Sequence, residues 1–590
     1  MNKKEGNDFE GILRPGRYIG REWNAVCKNV RNIKLHICLC FPEIYELGMS
    51  NLGFRIIYDL LNSKRDIYCE RCFCPWIDFK NRLKKLKEKL YSLETQTPLD
   101  KFDILGFSIN NELNYTNILA MLELANIPFF AKDRKGNLPL IIAGGNCVLN
   151  PEPLADFFDL FIIGEAEEAI LKVTKICKIF RRKFGSLLSK KQNLLLELAQ
   201  IEGVYVPNFY RVEYSKSHTV VDFRPIENNI ATVIKKVHVS DLDKSLLPTS
   251  WVVPNIEIIH DRIGIEIMRG CSYHCRFCQA RNYFFPLRLR SPEKIISMAK
   301  KLYKLTGYEE IALLSLSSSC HPQIKLIIDQ LVSYFRDKSV SISFPSMRPK
   351  DSVKYISYIL SQQHKSGLTF APEAGTDRLR NIIRKDFDVQ ELKDTLKIAY
   401  QYGYRKIKLY FMIGLPTERE EDLDGIIDLV QQISEMRKDI AKQNAYINVS
   451  VSTFIPKPHT PFQWMPMASI KEIFQKRQYL RSQLKKNSHK YIKFNFHDPF
   501  MSQIESVLSR GHRDISKAIL SAYRKGAQFD QWRDCFNYSF WKEAFDEQDI
   551  DIEEFACRYI DHESRLIWDF IDVGISKYHL KEEFLSLIKS

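Results

Sequence analysis

The chain has 590 residues, 45% hydrophobic and 27% charged, and Lys plus Arg exceed Asp plus Glu by 87 to 72, a net charge of +15. That length exceeds one hydrophobic core and predicts several domains, while the ordinary globular composition excludes a disordered or low-complexity chain. No apolar stretch nears the roughly 18 residues a membrane helix needs, and the polar start MNKKEGNDFEG has no apolar signal segment, so the expectation is a cytoplasmic protein with no membrane attachment.

Residues 1–210 alternate buried-strand runs (Lys34–Cys40, Ile104–Ser108, Leu138–Ala143, Leu160–Ile163) with helical stretches such as Gly53–Leu61 and Tyr115–Ala125. Such alternation predicts a parallel sheet with helices on both faces, a Rossmann-like α/β domain. Gly144-Gly145 and Gly164 follow strands, where parallel sheets bind ligands and glycine lets a ligand approach the backbone. Residues 211–258 read as a connector of short β-prone pieces and prolines.

Residues 259–465 alternate again, with strands at Ile263–Met268, Glu310–Leu316, Val340–Phe344, Gly367–Phe370, Lys406–Ile413 and Ile447–Phe454. Helical spacing between them, including Ser352–Gln362, predicts a partial (β/α)6 barrel, short of the eight repeats of a closed one. Residues 466–590 show helical spacing with scattered aromatics, and a helical C-terminal region packing on the barrel is expected. The Lys-rich runs largely coincide with helical apolar spacing (Ile170, Val173, Cys177, Phe180, Phe184), which reads as solvated helix faces; an RNA-binding surface stays open.

In a chain of this kind, 14 cysteines point to metal binding, catalysis or burial rather than disulfides. Cys271, Cys275 and Cys278 lie at C-x3-C-x2-C spacing, after a predicted strand. Three thiolates leave one iron of a cubane cluster open, and an open position marks a catalytic metal. Zinc completed by His274 or Cys320 is the other metal reading, and buried unligated thiols the third. Cys69, Cys72 and Cys74 form a second group, in what reads as one loop.

The segment from Arg269 to Ala280 resembles the signature of the radical SAM superfamily, including the aromatic Phe277 before the third cysteine. The resemblance implies a [4Fe–4S] cluster on Cys271, Cys275 and Cys278, with S-adenosylmethionine chelated at its open iron. It further implies reductive cleavage to a 5′-deoxyadenosyl radical, with electrons from an external donor such as flavodoxin or ferredoxin. Ala371-Pro372-Glu373-Ala374-Gly375-Thr376 is similar to the family's Glu-x-Gly segment and implies Glu373 beside S-adenosylmethionine. The segment from Phe411 to Glu418 resembles the fifth-strand segment beside adenine, which implies Ile413 and Gly414 as contacts, with Phe277 a further one. Thr453 to Trp464 resembles a sixth-strand end. Where the family has a Gly-Gly-Glu-like turn, this chain reads Leu314-Ser315-Leu316-Ser317-Ser318-Ser319, which leaves the contact to the methionine amino group unassigned.

Residues 34–172 resemble the cobalamin-binding domain that precedes the barrel in one radical SAM subgroup. The matching pieces are Phe41 to Met49, Gly106-Phe107-Ser108, Ala143-Gly144-Gly145 and Gly164-Glu165-Ala166-Glu167. The resemblance implies cobalamin contacts at Tyr45, Ser108, Gly144, Gly145, Gly164 and Glu165. The Asp-x-His-x-x-Gly loop that supplies a cobalt ligand elsewhere is missing, so a Rossmann-like platform without cofactor is the other reading. Segments Leu508 to Arg513 and Trp568 to Gly574 are similar to a fused B12-binding radical SAM subfamily. Cys69, Cys72 and Cys74 do not match the auxiliary cluster of the methylthiotransferases, and buried thiols are expected there.

The expected function is therefore radical SAM catalysis associated with cobalamin, the substrate undefined, with methyl transfer, rearrangement and cyclisation all open. The alternatives are an RNA-modifying radical SAM enzyme, methylthiotransferase- or methyltransferase-like, and a non-enzymatic scaffold holding zinc.

Overall fold

A computed structural model describes residues 9–215, 219–245, 251–344, 368–486 and 490–588. The first domain is a six-stranded sheet of β1 (Leu35–Phe41), β2 (Ile67–Phe73), β3 (Ile104–Ser108), β4 (Leu140–Gly144), β5 (Leu160–Ile162) and β6 (Val204–Tyr205). Its order is β2-β1-β3-β4-β5-β6, parallel throughout except for the β5–β6 pair. β1 and β2 are buried along their whole length, as strands covered by helices on both faces must be. In this doubly wound order the chain reverses direction between β1 and β3, and a crevice opens there at the strand carboxyl ends. Cys69 and Cys72 are not in a loop. They belong to β2, with Cys74 just beyond it, and all three are buried. Burial pushes the Cys69, Cys72 and Cys74 thiols up, keeping them neutral.

The connector holds an antiparallel hairpin of β7 (Tyr210–Tyr214) and β8 (Val220–Pro225), then the short β9 (Ile234–Lys235). The barrel region begins with β10 (Ile263–Glu266). An antiparallel clip of β11 (Met268–Arg269) and β12 (Arg288–Leu289) follows, then β13 (Glu310–Leu314) and β14 (Ser341–Ser343). β10, β13 and β14 form one parallel sheet. A second contains β15 (Leu368–Glu373), β16 (Lys406–Ile413), β17 (Tyr446–Thr453) and β18 (Ile492–Phe496). The expected helix Ser352–Gln362 lies outside the described residues.

Two expectations are corrected. β18 adds a parallel strand that pairs with β17, inside the region read as purely helical. Residues 470–485 and 492–496 of that region pack on the barrel as expected, with Ile473 and Leu480 in the core of its second sheet, but the helices after β18 pack mainly on the first domain. Ile504, Val507, Ile519 and Trp541 share one core with Ile118, Leu122 and Leu149. Polar contacts fix the same docking: Phe529 N–H donates to Asn117 Oδ1 at 2.8 Å, Thr116 Oγ1 to Asp530 at 2.8 Å, and Tyr523 Oη to Glu123 at 2.9 Å. The apolar face of the helix Ile515–Lys525 finds its partner on the helix Tyr115–Leu124. The final strand, β19 (Ile571–Asp572), pairs in parallel with β9.

Candidate functional site

The cysteine loop leaves β11 at the carboxyl end of the first barrel strand. Gly270 opens it at φ +96, and a Cβ there would lie 2.8 Å from Leu287 Cα and 3.0 Å from the carbonyl oxygens of Phe284 and Pro286. Only glycine lets the loop pass beneath residues 284–287. Cys271, Cys275 and Cys278 are each partly exposed on one short loop, and the Cys278 N–H donates to Cys275 O at 3.1 Å. Burial pushes the Cys278 thiol up to about 11, with the neighbouring thiols adding to the rise. Metal ligation reverses that, because the thiolate is the ligand.

Among the described residues no three His, Cys, Asp or Glu side chains converge on a single metal ion. A zinc ion needs four donors within about 2.3 Å of one point. A cubane instead takes each thiolate on a different iron, which three cysteines of one loop can supply. His274, the local zinc candidate, is turned to Arg281, with Nδ1 2.6 Å from Nη2.

Arg276 anchors the loop from below. Its Nη1 donates to Ile382 O at 2.8 Å, Nη2 to Ser586 Oγ at 2.7 Å, and Nε faces Glu583 at 3.2 Å. Glu583 also pairs with Arg384 at 2.6 Å. Ser586 and Glu583 lie on the last helix, Lys577–Ile588, which thereby latches the loop. No pattern in the sequence marks Glu583 or Ser586, and the one local signal is a basic residue between two of the cysteines.

The residues expected around S-adenosylmethionine gather at one end of the barrel. Phe277 packs on the cluster of Ala374, Leu379, Ile383, Leu415, Phe454 and Phe462, so the cysteine loop, the end of β15 and the end of β16 meet there. Glu373 sits at φ +68, its carboxylate 3.2 Å from Lys385 Nζ. The Gly414 N–H donates to Glu418 Oε2 at 2.8 Å, and Glu418 is held in turn by Lys476 at 2.7 Å. Gly414 has φ +76 and a Cβ there would lie 2.8 Å from Ile473 Cδ1, so a side chain at this position is strained. The Ile413 side chain is buried among Ile426, Val430 and Ile433 on the helix-facing side of β16, which leaves only its backbone for a ligand. On the serine-rich turn after β13, Ser318 Oγ donates to Leu313 O at 2.9 Å and lies 3.0 Å from Ser315 Oγ, so these hydroxyls are partly spent on the turn itself.

Between the two domains lies a cavity of about 410 Å3, in the range of small-molecule sites. It takes Leu39 from β1, Gly106 and Ser108 from β3, Gly144 and Gly145 at the end of β4, and Gly164 and Glu165 after β5, facing Met268, Arg269 and Gly270. The cavity thus sits at the β1/β3 switch point and reaches the residue before Cys271. Among the described residues no histidine lines it. A Cβ on Gly144 would meet nothing nearer than Ile162 O at 3.8 Å, so the wall there is open for a flat ligand. Tyr45 does not join this group: its ring packs on Phe73, and its hydroxyl donates to Glu22 at 3.1 Å.

Glu165 lines the cavity but is already engaged. Arg288 Nη1 and Nη2 donate to its two oxygens at 2.8 and 2.7 Å, and Arg269 Nη1 reaches it at 2.8 Å. Burial pushes this carboxyl up, but the Arg288 hydrogen bonds and the Arg269 charge outweigh it and hold the carboxyl below its ordinary value. Arg269 also pairs with Glu167 at 2.8 Å and Glu266 at 2.9 Å. Tyr283 Oη donates to Gly164 O at 2.8 Å. These contacts bind the first domain to the stem of the cysteine loop.

Comparison with known proteins decides the family. Residues 265–430 match the model of the radical SAM superfamily, and residues 53–207 match the model of the N-terminal part of radical SAM proteins. The chain belongs to the radical SAM superfamily. It is an enzyme of that superfamily, whose members bind a [4Fe–4S] cluster and S-adenosylmethionine and draw on an electron donor. This radical SAM protein is 27% identical over 522 residues to the uncharacterized protein MJ0966 of Methanocaldococcus jannaschii, covering 86% of this chain and 98% of that one. It is 23% identical over 207 residues to a probable threonylcarbamoyladenosine tRNA methylthiotransferase of Pyrococcus horikoshii, covering 33% of this chain and less than half, 45%, of that relative. In fold it is similar to the cobalamin-dependent S-adenosylmethionine radical enzyme OxsB, solved with aqua-cobalamin and S-adenosylmethionine bound. That likeness has a TM-score of 0.50 at 13% identity and covers 94% of this chain and 79% of the other. Among the described residues of this radical SAM protein, no helix is long and apolar enough to cross a membrane.

Proposed function

We propose that Cys271, Cys275 and Cys278 hold the [4Fe–4S] cluster, that Glu373 and the Ile413–Gly414 backbone position S-adenosylmethionine, and that the cavity between the domains takes cobalamin. One observation carries the reading: Gly270, which adjoins Cys271, lines the same cavity as Gly106, Gly144, Gly145 and Gly164. A corrinoid in that cavity would lie next to the cluster loop.

When bound, the reduced cluster supplies the electron that cleaves the sulfonium. The chain's own part is to hold and enclose. Phe277 packs the loop against the ends of β15 and β16, Arg276 braces it from below, and Arg269 ties it to the first domain. The glycines at the ends of β3, β4 and β5 admit a broad, flat ring system without side-chain interference. Among the described residues no cysteine is joined in a disulfide, which suits a reducing cytoplasm and a flavodoxin- or ferredoxin-type donor.

The test is anaerobic reconstitution with iron and sulfide, with cobalamin supplied, followed by desalting and an ultraviolet–visible spectrum. Cluster and corrinoid bands retained together support the reading. A cluster with no retained corrinoid would refute the cobalamin part alone.

A further inference from the structure

The second half-barrel has an unusual inner face. In a closed barrel the inward side chains are bulky and apolar and fill a packed core. Along β16 the buried residues Ile407, Leu409, Phe411 and Ile413 all point to the covering helices, and so do Ile447, Val449 and Val451 of β17. The alternate positions face the other way, by the period of two of a strand. They are Lys408 and Tyr410 on β16, Asn448 and Ser450 on β17, and Lys493 and Asn495 on β18, and most are exposed. This side of the sheet is a polar, open wall.

The register sharpens the pattern. Lys408 pairs with Asn448, and Asn448 pairs with Lys493. The two lysines therefore share one cross-strand row, about 10 Å apart at two strand spacings. Their four-carbon stems can converge on a group lying over Asn448. Lys408 Nζ also lies 4.9 Å from the Tyr410 ring centroid. Neither lysine has an acidic partner among the described residues. The acids nearest in kind are already neutralised: Glu373 at the rim by Lys385, and Glu310 on β13 by Arg262 at 2.6 Å.

Two unneutralised ammonium groups in one row on the same face of a sheet attract and hold anions. We propose that Lys408 and Lys493, aligned through Asn448, bind the anionic group, carboxylate or phosphate, of a small-molecule substrate on the inner face of this half-barrel. The inference rests on the radical SAM reading, since it places a substrate inside the barrel.

The test uses the full chain, anaerobically reconstituted, at low ionic strength. Isothermal titration calorimetry with inorganic pyrophosphate and with citrate probes the two anion chemistries separately. Wild type and the control Lys301→Gln, an exposed lysine on the helix Pro292–Thr306, are expected to bind at least one probe alike. The Lys408→Gln/Lys493→Gln double variant is expected to lose at least tenfold in affinity. Equal affinity in the double variant, or no binding of either probe to wild type, would overturn the proposal. So would bulk tRNA binding that falls with these two lysines while neither small anion binds. Uncoupled 5′-deoxyadenosine formation is measured alongside and is expected to survive in the double variant. Its absence from wild type would count against the enzyme reading and leave the binding result to decide the lysines.

Discussion

Arg269 Nη1 donates to Glu165 and to Glu167, at 2.8 Å each, from a position two residues before Cys271. The two carboxylates belong to the first domain and the guanidinium to the stem of the cysteine loop. Burial pulls the Arg269 guanidinium down, but Glu266 and Glu167 outweigh it and hold it above its ordinary range. Truncating one member of such a buried network leaves charges without partners, at a cost of about 3–5 kcal/mol. Arg269→Ala is expected to lower the urea midpoint strongly and to reduce iron content after reconstitution. Arg269→Lys, with one point charge in place of a planar fork, should recover only part of both. An alanine variant with wild-type stability and iron would show that the network does not hold the loop.

Glu583 tests the latch from the other side. Its carboxylate serves Arg276 and Arg384, and Arg276 lies between Cys275 and Phe277. Glu583→Ala should cost about 1–2 kcal/mol, less than Arg269→Ala because the pair is more open to water. Hydrogen exchange should quicken across residues 271–281 while the first-domain sheet keeps its protection. Unchanged exchange in the cysteine loop would contradict the latch.

Neighbouring glycines separate fold from cofactor. Gly145 has φ +113, and a Cβ there would lie 2.3 Å from Ile109 O, so Gly145→Ala should destabilise by about 1–3 kcal/mol. At Gly144 an added Cβ meets only Ile162 O at 3.8 Å and borders the cavity. Gly144→Ala should leave the melting temperature nearly unchanged while lowering retained cobalamin absorbance. Equal cobalamin retention in Gly144→Ala and wild type would place the corrinoid elsewhere.

Glu43, at the end of β1, predicts a pH dependence. It accepts from the Ile44 N–H at 2.8 Å and from Trp532 Nε1 at 3.1 Å, yet burial pushes its carboxyl from 4.5 up to about 7. The folded state therefore holds this proton more tightly than the unfolded chain. The stability it contributes is fully present below about pH 4.5 and is lost as pH rises through about 7. Burial raises Asp530 to about 6 and adds to the same slope. Between pH 5 and 8 the melting temperature of wild type should fall more than that of Glu43→Gln. Parallel profiles would contradict the shift.

The cysteine loop and the sheet of the first domain were legible in the sequence because both are local signals. Thiol spacing fixes a wrap around one centre, and continuous apolar runs such as Ile104 to Phe107 have few readings besides a buried strand. β18 was not legible. Its Ile492-Lys493-Phe494-Asn495-Phe496 run is short and half polar, and it stands beside a basic helix end, so only pairing with β17 makes it a strand. The roles of Glu165 and Tyr45 were hidden for another reason. Their partners Arg288 and Glu22 lie 123 and 23 residues away, and no short-range pattern records such a contact. The docking of the helices after β18 on the first domain is not legible either, because helical spacing shows that a face is apolar without showing what covers it.

One assay decides whether Cys271, Cys275 and Cys278 hold a cluster that cleaves S-adenosylmethionine. Anaerobically reconstituted protein is incubated with S-adenosylmethionine and dithionite, and 5′-deoxyadenosine is quantified beside a Cys271→Ala/Cys275→Ala/Cys278→Ala control. Iron and sulfide are expected near four each per chain, with 5′-deoxyadenosine from wild type and none from the control. Zinc without iron or sulfide, or an intact cluster that yields no 5′-deoxyadenosine, would contradict that assignment.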